Sequence, residues 1–181
     1  MSDGGTYEKA AGSNGTDKKN IIAAFCDLYR ERPIEKIHVK DVIAAAGYNR
    51  SAFYEYFQDI YALLIFIEDD VIHYIKKGLN SGTHTQTDLL RLLSEKEQYL
   101  KVLLGPFGGV HFQDRLMKEL LPEREETINN SPLQSYISEF HMTVSLSMYR
   151  LWLKRDKDIS LEELTLLIHA LYTGGKNGIT L

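Results

Sequence analysis

The side chains in this sequence that are best suited to recognising another molecule are Arg50, Ser51 and Tyr54. A guanidinium can donate two parallel hydrogen bonds to a guanine or hold a phosphate, and a phenol hydroxyl can reach a phosphate oxygen. Arg50 and Tyr54 are four residues apart, so they share one face if the segment is helical. On such a helix the three side chains would form an exposed face that could bind a nucleic acid.

The stretch around them, Val39–Phe57, predicts two short helices joined by a tight turn. Apolar residues of the first helix fall on one face, and Gly47 can adopt the left-handed conformation that ends it. Asn49 and Ser51 are both suitable N-caps for the second helix, in which Phe53 and Phe57 would share a buried face. Such a pattern is typical of a helix-turn-helix, whose second helix enters the DNA major groove. An ordinary helical hairpin would give the same pattern.

The run from Thr16 to Leu64 resembles the N-terminal domain of the TetR/AcrR family of transcriptional regulators. The spacing is matched without a gap over about a quarter of the chain. The matching residues are Ile22-Ala23-Ala24-Phe25, Leu28-Tyr29, Val39-Lys40-Asp41-Val42, Ala46-Gly47, Arg50, Phe53-Tyr54, Tyr56-Phe57 and Ala62-Leu63-Leu64.

The resemblance implies DNA contacts at seven positions: Lys40, Tyr48, Asn49, Arg50, Ser51, Tyr54 and Tyr56. One departure concerns Ile60, because family members usually carry a phosphate-binding lysine at that position.

The net charge of the predicted DNA-binding domain also bears on whether it binds DNA. Residues 17–60 contain seven Lys or Arg and seven Asp or Glu, so their net charge is 7 − 7 = 0 with histidines neutral. A DNA-binding domain usually has a basic surface, so here the cations must be sorted onto one face.

Helical periodicity continues to the end of the chain, and the expected fold class is all-α. An N-terminal three-helix helix-turn-helix domain is joined to a C-terminal helical bundle used for dimerisation. The expected division is a mobile tail at 1–15, a DNA-binding domain at 16–60 and a regulatory and dimerisation domain at 61–181. Helices are predicted at about 17–31, 39–46, from 50, 59–79, 89–104, 111–121, 132–154 and from 160 to a glycine pair at 174–175.

The last two predicted helices have apolar stripes wider than one covering neighbour requires, and family members pair through their last two helices. Ordinary core packing of a monomer would also explain wide stripes. The candidates for a dimer interface are Ile137, Val144, Met148, Leu151, Leu164, Ile168 and Leu171.

The resemblance also implies a small-molecule pocket in this domain. Its candidate residues are Phe66, Tyr74, Tyr99, Phe107, Phe112, Tyr136, Phe140, Tyr149 and Trp152.

The sequence gives no support for catalysis, a metal or a cofactor. The six histidines form no HExxH motif, and no GxSxG motif is present. The single cysteine, Cys26, excludes an intrachain disulfide and a zinc–cysteine cluster, and a buried structural thiol is favoured over a redox sensor. No apolar run is long enough to cross a membrane, and the N-terminus lacks an apolar signal segment. We therefore expect a cytoplasmic protein that is not an enzyme.

These observations favour a homodimeric regulator that binds double-stranded DNA at a palindromic operator. The resemblance favours a repressor, with an apolar or aromatic small molecule as a candidate effector. A second hypothesis is a helical ligand-binding or protein-interaction module that has lost DNA binding. The zero net charge of residues 17–60 and the position of Ile60 support that alternative.

Overall fold

The computed structural model describes residues 14–80, 86–120 and 132–177, and these ranges contain helices and connecting turns but no strand. The predicted all-α fold is confirmed. The helices are α1 (Asn14–Glu31), α2 (Val39–Ala46), α3 (Arg50–Tyr54), α4 (Ile60–Asn80), α5 (Gln86–Glu95), α6 (Glu97–Leu103), α7 (Gly109–Leu120), α8 (Pro132–Lys154) and α9 (Leu161–Asn177). Most of the predicted N-terminal tail lies outside the described residues.

The chain divides into two compact units, Met1–Leu64 and Ile65–Leu181, with the boundary inside α4. In the first unit, α1 packs against both α2 and α3. Its core is built mainly from large apolar residues of the four helices and of the segment before α2. They are Ile21, Ile22, Phe25, Tyr29, Ile37, Val42, Phe53, Phe57, Ile60 and Leu63.

The limits of the first helices follow from local chemistry. Helix α1 begins at Asn14, three residues before the predicted start, and ends before Pro33, because a residue preceding proline avoids the helical conformation. A short 3-10 helix, Ile34–Lys36, leads to α2. The first turn of α2 is closed by Asp41, whose carboxylate accepts a hydrogen bond from the amide of His38 at 3.0 Å.

The predicted helix at 89–104 is wrong as a single element, because the chain interrupts it at Lys96 to give α5 and α6. A continuous helix would turn Val102 away from the apolar face formed by Leu89 and Leu93. The break allows all three side chains to be buried. The side chain of Lys96 is held at this point by Asp70, with 2.7 Å between Nζ and Oδ2.

In the second unit, α9 packs against α5 and α8, and α8 packs against α7. The predicted end of the last helix at Gly174 is also wrong, because α9 continues through Gly174 and Gly175 to Asn177. Of the described glycines, only Gly47 has a positive φ, so this pair keeps helical geometry instead of ending the helix. Within the described ranges, no helix is both long and apolar enough to cross a membrane.

Candidate nucleic-acid interface

The turn between α2 and α3 has the geometry expected from its glycine. Gly47 adopts φ 75° and ψ 28°, a left-handed conformation in which a residue with a Cβ atom would be strained. The amides of Gly47 and Tyr48 both donate to the carbonyl oxygen of Ile43, the latter at 2.9 Å. These two bonds satisfy a carbonyl group that α2 leaves open and direct the chain towards α3.

The start of α3 is fixed by Asn49, whose side-chain oxygen accepts a hydrogen bond from the amide of Ala52 at 3.0 Å. Of the two predicted N-caps, Asn49 therefore has this role. Phe53 is fully buried beneath the helix, and its ring centroid lies 5.8 Å from that of Phe57. This apolar contact leaves the opposite face of α3 exposed.

The exposed face carries most of the side chains predicted to contact DNA. Arg50, Ser51 and Tyr54 of α3 are exposed, as are Asn49 in the turn and Lys40 in α2. Neither Arg50 nor Lys40 forms an ion pair with any residue in the described part of the chain. Both cations are therefore accessible to a phosphate or a base edge.

Tyr48 differs from the other predicted contact residues because its side chain is half-buried against α1. Its hydroxyl donates to Oδ1 of Asp17 at 2.9 Å and accepts a hydrogen bond from Nδ2 of Asn20 at 3.1 Å. Asp17 and Asn20 were not predicted as part of the site. They lie 31 and 28 residues before Tyr48, and no local spacing indicates such a pairing.

Tyr56 is the other half-buried member of the predicted set. Desolvation of its hydroxyl raises its pKa above the ordinary value, and the nearby charges of Asp17 and Glu55 raise it further. The phenol is therefore neutral at physiological pH. A neutral phenol can still donate a hydrogen bond to a phosphate oxygen.

The net charge of residues 17–60 remains zero, but several of their acids are engaged in contacts within the unit. Asp27 pairs with Arg30 at 2.7 Å, and Asp41 lies 3.7 Å from Arg32. Asp17 accepts from Tyr48, and Asp59 caps α4 by accepting from the amide of Ala62 at 2.7 Å. These carboxylates serve the fold, while Lys40 and Arg50 keep their charges exposed.

Ile60, the residue found where family members usually carry lysine, is buried at the start of α4. Its side chain contributes to the apolar core of the first unit. The position thus supports the fold and offers no cation for a phosphate.

The aromatic residues predicted to line a pocket in the second unit occupy different environments. Phe112, Tyr149 and Trp152 are buried, and Tyr74 and Tyr99 are half-buried. Phe66, Phe107, Tyr136 and Phe140 are exposed. The Tyr149 hydroxyl is buried without a hydrogen-bond partner among the described residues, and burial raises its pKa.

The predicted dimer residues fall into three groups by exposure. Leu164 and Ile168 are 3% and 4% exposed, inside the core of this single chain. Leu151 and Leu171 are about half exposed, and Ile137, Val144 and Met148 are intermediate. Further exposed apolar residues on α8 and α9 are Tyr136, Phe140, Leu166 and Leu167.

Comparison with protein families confirms the resemblance inferred from the sequence. Residues 21–65 match the family model described as bacterial regulatory proteins, tetR family. The matched segment runs from the core of α1 through α2, the turn and α3 into α4. It contains the exposed face described above. No curated protein matches the chain.

Solved structures with the same fold cover most of the chain. A TetR transcriptional regulator from Streptococcus agalactiae is 23% identical, with a TM-score of 0.60 over 88% of this chain and 95% of that one. A TetR-family regulator from Syntrophomonas wolfei is 16% identical, with a TM-score of 0.57 over 93% and 98%. The dihydroxyacetone kinase operon activator DhaS is 22% identical, with a TM-score of 0.54 over 88% and 95%. The chain therefore has the fold of TetR-family transcriptional regulators.

Proposed function

We propose that this protein is a cytoplasmic, sequence-specific DNA-binding regulator whose α3 enters the major groove. The observation that carries the proposal is the exposed face of Arg50, Ser51 and Tyr54, held outward by the buried ring of Phe53. The match of residues 21–65 to a family of bacterial regulatory proteins supports the same function. Arg50 would read a guanine or hold a phosphate, and Lys40 would hold a phosphate.

The protein is proposed to act as a homodimer through α8 and α9. An apolar surface on these two helices, formed by Tyr136, Phe140, Leu151, Leu166, Leu167 and Leu171, is exposed in the single chain. Exposed apolar side chains gathered on neighbouring helices are typical of a protein–protein interface. Two copies related by a two-fold axis would bury this surface and present two α3 helices to a palindromic operator.

The proposed direction of regulation is repression, in which the bound dimer blocks access to a promoter. One structure with the same fold is named an operon activator, so the direction needs its own measurement. Transcription in vitro should fall as the protein is added, if the promoter contains a DNA sequence that the protein has been found to bind. A rise in transcript would leave DNA binding in place but reverse the proposed direction.

An apolar or aromatic small molecule is proposed to release the operator by binding among the aromatic residues of the second unit. The buried hydroxyl of Tyr149 supports this proposal, because a buried donor without a partner is costly and a ligand could satisfy it. Aromatic phenols and acids should raise the melting temperature of the wild type. Tyr149→Phe should reduce that shift for ligands that hydrogen-bond to the hydroxyl.

The test of DNA binding is selection of bound sequences from a random duplex pool, followed by titration of the winning sequence. The proposal expects an enriched two-fold symmetric site and binding that weakens as salt concentration rises. Failure to enrich any sequence, with folded dimeric protein, would favour the alternative of a helical ligand-binding or protein-interaction module.

A further inference from the structure

We propose that Tyr48 is a positioning residue whose hydroxyl fixes α3 against α1, instead of a residue that donates its own hydrogen bond to DNA. The inference rests on the proposed function, since it concerns how the DNA-binding face is held. It assigns roles to Asp17 and Asn20, which carry no DNA-contacting prediction. It also separates Tyr48 from Arg50 and Tyr54, the exposed members of the same predicted set.

Tyr48 is bonded to two helices, and the residue after it is bonded to a third. Its amide donates to Ile43 at the end of α2. Its hydroxyl bonds to Asp17 and Asn20 of α1. Asn49, which follows directly, caps α3. Tyr48 therefore links α1 to the N-terminus of α3.

A helix as short as α3 depends on such external bonds. It has five residues, and a segment of that length does not hold a helical conformation by itself. Phe53 is its only buried side chain. The buried ring of Phe53 sets the distance of α3 from the core. It does not set the rotation of α3 about its own axis, because the helix can still turn about that contact. The Asn49 cap and the Tyr48 hydroxyl bonds supply further points of attachment.

The hydroxyl has little capacity left for DNA. A phenol has one proton to donate, and in Tyr48 this proton goes to the Asp17 carboxylate. Only a remaining lone pair is open, and phosphate oxygens accept hydrogen bonds but do not donate them. A direct bond from Tyr48 to a phosphate would require the Asp17 bond to break, and that bond has a charged acceptor and is correspondingly strong.

The experiment is a double-mutant cycle on the affinity for the selected operator, measured at a temperature where every variant is folded. Tyr48→Phe should weaken binding by up to about tenfold, because without the hydroxyl bonds a smaller fraction of the folded protein holds α3 in the binding orientation. Asp17→Ala also removes a negative charge near the DNA, but the cycle cancels that effect. In the Asp17→Ala background, adding Tyr48→Phe should weaken binding clearly less than it does in the wild type, because only the bond from Asn20 remains to be lost.

Two further variants separate positioning from a general loss of stability. Asp17→Asn keeps an oxygen that can accept from the hydroxyl, so Tyr48→Phe should again weaken binding in that background. Tyr61→Phe is the matched control, because Tyr61 is exposed in α4 and its hydroxyl has no hydrogen bond in the described residues. It should leave the affinity unchanged. A role in overall stability alone would not alter the affinity of folded protein.

Equal losses from Tyr48→Phe in the wild-type and Asp17→Ala backgrounds would overturn the inference, because they would indicate a direct contact with DNA. Failure of the wild type to select any DNA would instead contradict the proposed function. In that case, amide hydrogen exchange in the free protein would still test whether Tyr48 positions α3. Tyr48→Phe should speed exchange of the Ala52 amide, which Asn49 protects. Unchanged exchange at Ala52 would overturn the positioning role.

Discussion

In the second unit, the exposed ring of His111 contacts the carboxylate of Glu68, with 3.1 Å between Nδ1 and Oε1. The Glu68 residue is only 1% exposed, although it carries a carboxylate. One guanidinium N–H group of Arg115 donates to Glu68 and another donates to Asp69. The buried carboxylate of Glu68 therefore has two partners from α7, Arg115 and His111. A buried carboxylate persists only when such partners compensate its lost hydration.

Removing the main partner of Glu68 should therefore destabilise the protein. Arg115→Met is expected to lower the free energy of unfolding by about 3 kcal/mol, because among the described residues it leaves the buried Glu68 carboxylate with His111 as its remaining side-chain partner. Denaturant unfolding measures the change. The control is Lys76→Met, which breaks an exposed pair with Glu119 and should shift the denaturation midpoint much less than Arg115→Met does. A loss below about 1 kcal/mol for Arg115→Met would show that Glu68 does not depend on Arg115.

The proposed dimer surface can be tested by introducing a charged residue either at an exposed or at a buried apolar position of α9. Leu171 is 56% exposed on α9, so Leu171→Glu should leave a folded protein and halve its mass in light scattering at micromolar concentration. Leu164 is buried in its own chain, so Leu164→Asp should instead unfold or precipitate the protein.

The control for Leu171→Glu is Val110→Glu, which places the same charge on an exposed apolar residue of α7. This variant should remain a dimer. A monomeric wild-type protein at micromolar concentration would contradict the proposed interface, and so would a dimer that survives Leu171→Glu.

The sequence predicted those parts of the site that depend on residues close together in the chain. Gly47, Asn49 and Phe53 have conformational or packing preferences that act within one turn of helix, and each has its expected role. The same reasoning placed α8 correctly, because Pro132 suits a first helical turn.

Contacts between distant segments could not be predicted in this way. The bond between Tyr48 and Asp17 joins residues 31 apart, and the bond between Arg115 and Glu68 joins residues 47 apart. Such pairs depend on how helices pack, which periodicity does not specify. The stripe through Leu164 likewise identified an apolar face but could not tell a chain's own core from a partner's surface.

Acidification should destabilise the contact between α8 and α9 at His141. Its ring lies 4.5 Å from that of Tyr172, and its Nε2 lies 3.4 Å from Oγ of Ser145. Burial lowers the pKa of His141 below its usual value, and the neighbouring His169 lowers it further. The folded state therefore binds this proton less readily than the unfolded chain does.

It follows that the free energy of unfolding should fall as the pH drops below about 6.5, the ordinary pKa of histidine, until the folded-state pKa is passed. His141→Gln should flatten this part of the curve, whereas His73→Gln, at an exposed position of α4, should not. An identical pH dependence for wild type and His141→Gln would contradict the assignment.

Cys26 should react as a buried structural thiol. Burial raises its pKa to about 12, so at pH 8 the thiolate should be roughly a thousandfold scarcer than for an ordinary cysteine. A chromogenic disulfide reagent should label it slowly in the folded protein and rapidly after denaturation. Ala23→Cys, on the exposed side of α1, should add one fast-reacting thiol. Rapid labelling of the folded wild type would contradict this prediction.

The central claim is that the exposed face of α3 reads DNA, and the most direct test is the affinity of Arg50→Ala for the selected operator. If Arg50 reads a base, the loss should be about 1–3 kcal/mol, with specificity relaxed at one position. Lys40→Ala should weaken binding to all sequences alike and reduce the salt slope by about one. If the double variant Arg50→Ala, Tyr54→Phe binds the operator with unchanged affinity and unchanged salt dependence, a different surface contacts DNA.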